Sequence, residues 1–186
     1  MKYIFDFDDV LFNTKQFKQH IFSCLLKRGL SQRVTQAYYK KIREKEFSLK
    51  NFIMNLFLHE QIKKIDVQNT YEEIMHECPN FVNQELLIVV RNSGTANCYI
   101  VTCGEKEFQK NKIKRSGIAH LFSKITIEPG SKKRTVEKIC AKNKGERVFF
   151  IDNTANHFED LNLDKCPNLK TILYTGQDLR NFFIQN

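Results

Sequence analysis

A short apolar run beginning at Tyr3 stops abruptly on acid. The stretch FDFDDVLFNT, Phe5 to Thr14, places Asp6 and Asp8 two residues apart, with Asp9 next. Lys2 to Phe7 reads as a buried first strand. Residues i and i+2 of a strand point to the same side. With the chain still extended as it leaves the strand, both carboxylates face one spot at its carboxyl end. Ligands bind at that edge in open α/β sheets. Two close carboxylates repel, so they favour a divalent cation or divide into one ionised and one protonated group.

From Thr14 to about Asn83 the pattern is helical. Phe17, Ile21 and Leu25 recur at four-residue spacing, and Gly29 can close that helix. Val34, Tyr38 and Ile42 repeat the pattern. Ser48 can cap a third helix carrying Leu49, Phe52, Ile53, Leu56 and Phe57 on one face. Thr70 and Glu73 have capping-box spacing ahead of Ile74 and Met75, with Pro79 beyond. The stretch predicts a bundle of about four helices inserted after the first strand.

Beyond Asn83 the rhythm alternates. Gln84 to Arg91 predicts a helix, and Asn97 to Thr102 a short buried strand. A basic helix then runs from Gly104 to about Ser116. Leu121 to Ile127 holds a strand, Lys132 to Lys144 a helix, and Arg147 to Ile151 a strand followed at once by Asp152. Another helix reaches about Leu161, and Leu169 to Tyr174 is the last strand. Strands alternating with helices imply right-handed crossovers and a mostly parallel sheet. The expected fold is α/β: a Rossmann-like parallel sheet flanked by helices, with an inserted all-helical unit. The division is residues 1–13 and 84–186 for the sheet domain and 14–83 for the insertion. There is no Gly-rich phosphate loop.

Composition bounds the rest. A chain of 186 residues suits one domain with a modest insertion, and 41% apolar residues supply a core. Asp6, Asp8 and Asp9 interrupt any signal-peptide apolar region. The longest clean apolar run, Leu86 to Val90, is too short to span a bilayer. The six cysteines show neither a CxxC pair nor zinc spacing, which points to reduced thiols in a cytoplasmic protein with no membrane partner. A net charge of +9 comes in clusters at Lys27-Arg28, Lys40 to Lys45, Lys110 to Arg115 and Lys132 to Arg134. Such a surface attracts phosphates on metabolites or nucleic acid. Solvated helix faces explain the clusters equally well.

Three strands end on polar residues: Asp6-Phe7-Asp8, Thr102 and Asp152. A basic group, Lys132 or Lys133, opens a helix near the same edge. In a parallel sheet these ends lie together. Two carboxylates, a hydroxyl and an ammonium suit phosphoryl transfer, which needs a nucleophile, a proton donor and charge neutralisation.

In this the chain resembles the haloacid dehalogenase superfamily, whose members are mostly phosphatases. Its first motif matches Asp6-Phe7-Asp8-Asp9-Val10-Leu11. Its second matches Thr102 in YIVTCG, its third Lys132 or Lys133, and its fourth Asp152 in VFFIDNT. All four occur in order. The insertion lies where this superfamily carries a helical cap.

The resemblance implies a set of roles. Asp6 would attack phosphorus and become an aspartyl-phosphate. Asp8 would protonate the leaving group and then activate water. Mg²⁺ would bind the Asp6 carboxylate, the Asp8 main-chain carbonyl and Asp152. Thr102, with Cys103 beside it, would contact the phosphoryl oxygens, and the lysine would offset negative charge. Counting back one helical turn from Val136 favours Lys132 over Lys133. Where the fourth motif often has a second acid, this chain has Asn153 and Asn156. They can support a metal-bound water while lowering the site's negative charge and its metal affinity.

Competing structural roles exist at these positions. Thr102 and Glu105 have capping-box spacing, so the hydroxyl can serve as a helix cap. Asp152 and Asn153 can be N-caps, and Asp6 and Asp8 simple turn formers. The five histidines lack metal spacing, and a structural or exposed role is favoured for His157. Asp9 is expected to shape the turn after the strand.

The expected activity is a Mg²⁺-dependent phosphomonoesterase acting on a small phosphorylated substrate, a sugar phosphate or nucleotide. Arg43 or Lys45 could reach that substrate from the insertion. The alternatives are a phosphotransferase or mutase, and a protein that binds or end-processes nucleic acid on the same scaffold. The sequence does not fix the oligomeric state.

Overall fold

The computed structural model describes residues 1–43, 47–62 and 66–180. Five strands form one parallel sheet in the order β3-β2-β1-β4-β5: β1 Lys2–Phe5, β2 Cys98–Cys103, β3 Lys124–Glu128, β4 Val148–Asp152 and β5 Leu169–Leu173. Eight α-helices occur among the described residues. These are α1 Thr14–Leu26, α2 Gln32–Arg43, α3 Leu49–His59, α4 Val67–His76, α5 Gln84–Ser93, α6 Lys106–Arg115, α7 Lys133–Lys142 and the single turn α8 Asn156–Glu159. The expected α/β class, with helices α1 to α4 following the first strand, is the architecture seen.

Period-two alternation decides which residue faces which layer. Tyr3 and Phe5 of β1, and Phe149 and Ile151 of β4, enter the larger apolar cluster on one face. Ile4, Val148 and Phe150 enter a second cluster with Val136, Ile139 and Cys140 of α7 on the other. Burial on both faces explains why β1 and β4 read as continuous apolar runs. Phe17, Ile21 and Leu25 of α1 and Phe52, Leu56 and Ile74 of the following helices belong to the larger cluster too. The inserted helices therefore share the core of the sheet's first face.

Register places the site. Phe5 pairs with Ile151 on one side and Ile100 on the other. Asp6 follows Phe5 and Asp152 follows Ile151, so the two acids leave adjacent strands at the same level. Thr102 lies two residues beyond Ile100 on the opposite neighbour. β1 sits where the order reverses, between the branch leading to β3 and the branch leading to β5. That is the topological switch point at which such sheets bind ligands.

Several sequence expectations shift. β1 stops at Phe5 because the Phe7 carbonyl accepts from both Leu11 N and Phe12 N, which curls the chain into a turn. Asp9 takes φ +56° in that turn, a region Asp tolerates better than most side chains. Thr70 caps nothing: Asp66 is the N-cap of α4, accepting from Asn69 N at 2.8 Å, and Thr70 lies one turn inside. Ser48 precedes α3 with no side-chain cap bond. The helix expected to reach Leu161 is only one turn long. No helix among the described residues is long and apolar enough to cross a membrane.

Candidate active site

Asp6 is buried, at 5% exposure, just past the end of β1. Its Oδ1 accepts from Phe7 N at 2.7 Å, and its Oδ2 lies 2.8 Å from Lys132 Nζ. Lys132 is itself 2% exposed and reaches Asp152 Oδ2 at 2.7 Å. It stands one residue before α7, where Val136 N returns to its carbonyl. The first turn of α7 thus aims the ammonium under the sheet edge. Lys133, the next residue, is exposed. Two buried carboxylates and one buried ammonium form a unit that a parallel register and one helix start create together.

Electrostatics follow from this burial. Desolvation pushes the Asp6 carboxyl up to about 6, against the pull of Lys132 and with repulsion from Asp152 and Asp8 added. Burial tends to discharge Lys132, but the Asp6 and Asp152 carboxylates outweigh it and hold its pKa above the ordinary lysine value. Asp152 is closed in on all sides: Oδ1 accepts from Thr154 N at 2.9 Å, and Oδ2 lies 2.9 Å from His157 Nδ1.

Asp8 faces the neighbouring cleft. Its Oδ1 accepts from Lys112 Nζ at 2.5 Å and Thr14 Oγ1 at 2.8 Å, and its Oδ2 from Gln109 Nε2 at 2.6 Å. Burial raises the Asp8 pKa, but Lys112, Gln109 and Thr14 overcome it and hold the carboxyl below its usual range. The cleft has a volume of about 710 Å³ and is walled by Lys15, Lys18, Tyr39, Phe47 and Phe108. It lies between the inserted helices and the carboxyl edge of the sheet. Lys45 and the side chain of Arg43 lie outside the described residues.

Thr102 is buried in β2, and it caps no helix, because Glu105 is the N-cap of α6 and accepts from Phe108 N at 2.7 Å. Cys103 lines the cleft, donates its Sγ hydrogen to Gly130 O, and burial holds its thiol up at about 11, so it stays protonated. Asp152 and Asn153 are not N-caps either, since Ala155 precedes α8. Asn153 and Asn156 are exposed, and no hydrogen bond among the described residues joins them to Asp6 or Asp152. His157, for which the sequence favours a structural or exposed role near the site, holds Asp152 Oδ2 from its Nδ1 at 2.9 Å. Gln109 and Lys112 went unread: their contacts to Asp8 span most of the chain. The one local signal is that Gln109, Lys112, Ile113 and Ser116 form an i, i+3, i+4, i+7 stripe on the buried face of α6.

The oxygens that the structure brings together for a cation are the Asp6 and Asp152 carboxylates; the Asp8 carbonyl is the third donor that the resemblance implies. No cluster of three or more His, Cys, Asp or Glu side chains spaced to hold a metal occurs among the described residues. Two carboxylates plus a carbonyl still fit a hard ion that keeps several waters, which is the habit of Mg²⁺.

The profile of the haloacid dehalogenase-like hydrolases matches residues 3–146. No curated protein matches the chain. Among solved structures, a candidate haloacid dehalogenase-like hydrolase from Burkholderia xenovorans LB400 superposes with a TM-score of 0.69 at 15% identity, covering 91% of this chain and 79% of that one. A candidate HAD hydrolase from Bacillus subtilis, bound to magnesium, gives 0.52 at 14% identity over 91% and 84%. A candidate β-phosphoglucomutase from Thermotoga maritima gives 0.56 at 11% identity over 99% and 91%. At these identities the likeness is one of fold.

Proposed function

The chain belongs to the haloacid dehalogenase-like hydrolases, and from that premise we propose that it is a Mg²⁺-dependent phosphomonoesterase working through an aspartyl-phosphate on Asp6. One observation carries the proposal. Asp6 and Asp152 share the Lys132 ammonium, while a separate carboxylate, Asp8, faces the cleft beside them.

In the proposed reaction an Asp6 oxygen attacks phosphorus. The leaving oxygen departs with the bond pair and takes a proton from Asp8. Lys132 offsets charge on Asp6 and on the transferring group, and Thr102 donates to a phosphoryl oxygen. Asp8, now a carboxylate, then takes a proton from water as the Asp6–phosphorus bond breaks. Asp6, Asp152 and the Asp8 carbonyl would hold Mg²⁺, which when bound would neutralise phosphoryl charge; the family's habit and the magnesium-bound Bacillus subtilis structure support that choice.

The walls of the cleft favour a small substrate. Lys15 and Lys18 of α1, with Tyr39 of α2 and Phe47, line the cleft together with Asp8, so this part of the insertion is placed to contact a substrate. The basic clusters offer less to a polynucleotide than the charge total implies. Lys112 and Lys132 are buried in the site, and Arg115 pairs with Glu72 at 2.6 Å. Free cysteines fit a cytoplasmic setting.

The test is hydrolysis of p-nitrophenyl phosphate and a panel of sugar phosphates and nucleotides with Mg²⁺. EDTA should stop turnover, and Asp6→Asn should abolish it. Full activity in that variant rules out the covalent route. Exchange of phosphate between hydroxyls without release of inorganic phosphate marks a mutase instead.

A further inference from the structure

α6 brings two residues to Asp8 that the reaction above does not use. Lys112 is 3% exposed, and its ammonium lies 5.3, 5.3 and 5.0 Å from the ring centres of Phe7, Phe12 and Phe108. Its charge partner is Asp8. Gln109 is 5% exposed, and its Nε2 donates both to Asp8 Oδ2 and to Cys103 O, the latter at 2.9 Å. Two acceptors on one nitrogen fix which end of the amide faces the site.

This arrangement is costly as plain packing. A buried ammonium loses hydration that three aromatic rings replace only in part. Gln109 Oε1 is buried with no hydrogen-bond partner among the described residues, which costs its desolvation without return. The amide also sits so close to Gly104 that a Cβ there would lie 2.9 Å from its nitrogen. Leucine or methionine at both positions would fill the space beside Ile113 without these penalties.

The acceptor side has an equally definite pattern. Asp8 Oδ1 takes two donors, Lys112 and Thr14, and Oδ2 takes one, Gln109. A carboxylate oxygen accepts about two bonds. Oδ2 therefore keeps one open position on a side chain that lines the cleft and is 26% exposed. Three donors on these two oxygens favour the base form of Asp8.

We infer that Gln109 and Lys112 are positioning residues that fix the Asp8 carboxylate for the second half of the reaction. The inference rests on the aspartyl-phosphate reading. In that step a water oxygen attacks the phosphorus of phospho-Asp6, and the water proton passes to Asp8 Oδ2. The phosphorus–Asp6 oxygen bond breaks, its electron pair returns to the Asp6 carboxylate, and inorganic phosphate leaves. Without the two donors from α6 only the Thr14 hydroxyl holds the carboxylate, Oδ2 loses its fixed direction, and the intermediate persists.

The experiment compares the full chain with Lys112→Met, Gln109→Leu and Lys112→Arg on p-nitrophenyl phosphate with Mg²⁺. This leaving group needs little protonation, so kcat/KM reports formation of the intermediate and kcat reports its breakdown. In Lys112→Met and Gln109→Leu, kcat is expected to fall about 10- to 100-fold, on the scale of positioned base catalysis. KM falls with it, leaving kcat/KM within about threefold. Intact mass after acid quench shows a phosphoryl adduct on Asp6 that the parent protein does not accumulate. Lys112→Arg recovers part of kcat.

A parallel fall of kcat and kcat/KM with no adduct assigns these residues a purely structural role and overturns the inference; so do unchanged kinetics. Should Lys112→Met not fold, Gln109→Leu alone decides by the same criteria. An absence of turnover in the parent protein overturns the phosphatase reading and this role together. An active parent with uniformly impaired variants sinks only this role.

Discussion

Asp6 and Asp152 share a single buried cation: Lys132 Nζ lies 2.8 Å from Asp6 Oδ2 and 2.7 Å from Asp152 Oδ2. Lys132→Met leaves two carboxylates buried without their cation. A loss of about 3–5 kcal/mol at neutral pH is expected in urea unfolding, because each acid is stranded in low dielectric. Part of it returns toward pH 5, since Asp6 then escapes its charge by taking a proton. Lys133→Met, one residue on but exposed, should stay within about 0.5 kcal/mol. Equal effects at the two positions would contradict the geometry.

Asp6 sets a pH dependence of the same sign in the intact protein. Its folded pKa of about 6 lies well above the ordinary aspartate value. The folded state therefore holds this proton more tightly than the unfolded one. Stability tied to Asp6 is full below about pH 4 and is lost as pH rises through about 6. Asp6→Asn removes that loss. Measured in EDTA, the variant should match the parent near pH 4 and exceed it by up to about 3 kcal/mol at pH 8. A constant difference across that range would mean that Asp6 is not the group responsible.

The sheet was legible because both-face burial writes continuous apolar runs, and the acids at the ends of β1 and β4 stand where those runs stop. The four helices of the insertion were legible from their period. What failed was local. Thr70 and Glu73 have the right spacing for a cap, but Asp66 starts the helix four residues earlier. Lys112 reads as one more charge in a basic run: Phe108, one turn earlier, is its only aromatic neighbour close in sequence, and Phe7, Phe12 and Asp8 lie about a hundred residues away. His157 reached Asp152 through a bend and a one-turn helix, a geometry that spacing does not encode.

Binding of Mg²⁺ can be read without turnover. The donor set of Asp6, Asp152 and the Asp8 carbonyl has two carboxylates and no second acid at Asn153 or Asn156, so affinity should be modest. With a Kd of about 1 mM, 10 mM Mg²⁺ stabilises the fold by about 1.4 kcal/mol. Differential scanning fluorimetry should show a rise in Tm for the parent and none for Asp152→Asn. An equal rise in both would locate the ion elsewhere on the surface.

The turn that presents Asp8 depends on Asp9. At φ +56° a β-carbon crowds the backbone, and Asp eases this by accepting from Thr14 N at 3.2 Å through its own side chain. Asp9→Gly removes the crowding and the hydrogen bond together and frees the unfolded chain, so stability should change by no more than about 0.5 kcal/mol. Asp9→Val keeps the crowding, adds a branched side chain and loses the bond, so it should cost about 1–2 kcal/mol. Because Asp9 N also donates to Phe12 O across the same turn, a turn forced open by valine swings Asp8 away from Lys112. Activity should then drop in Asp9→Val far more than in Asp9→Gly. Comparable stability and activity in the two variants would mean that the chain after β1 relaxes without moving Asp8.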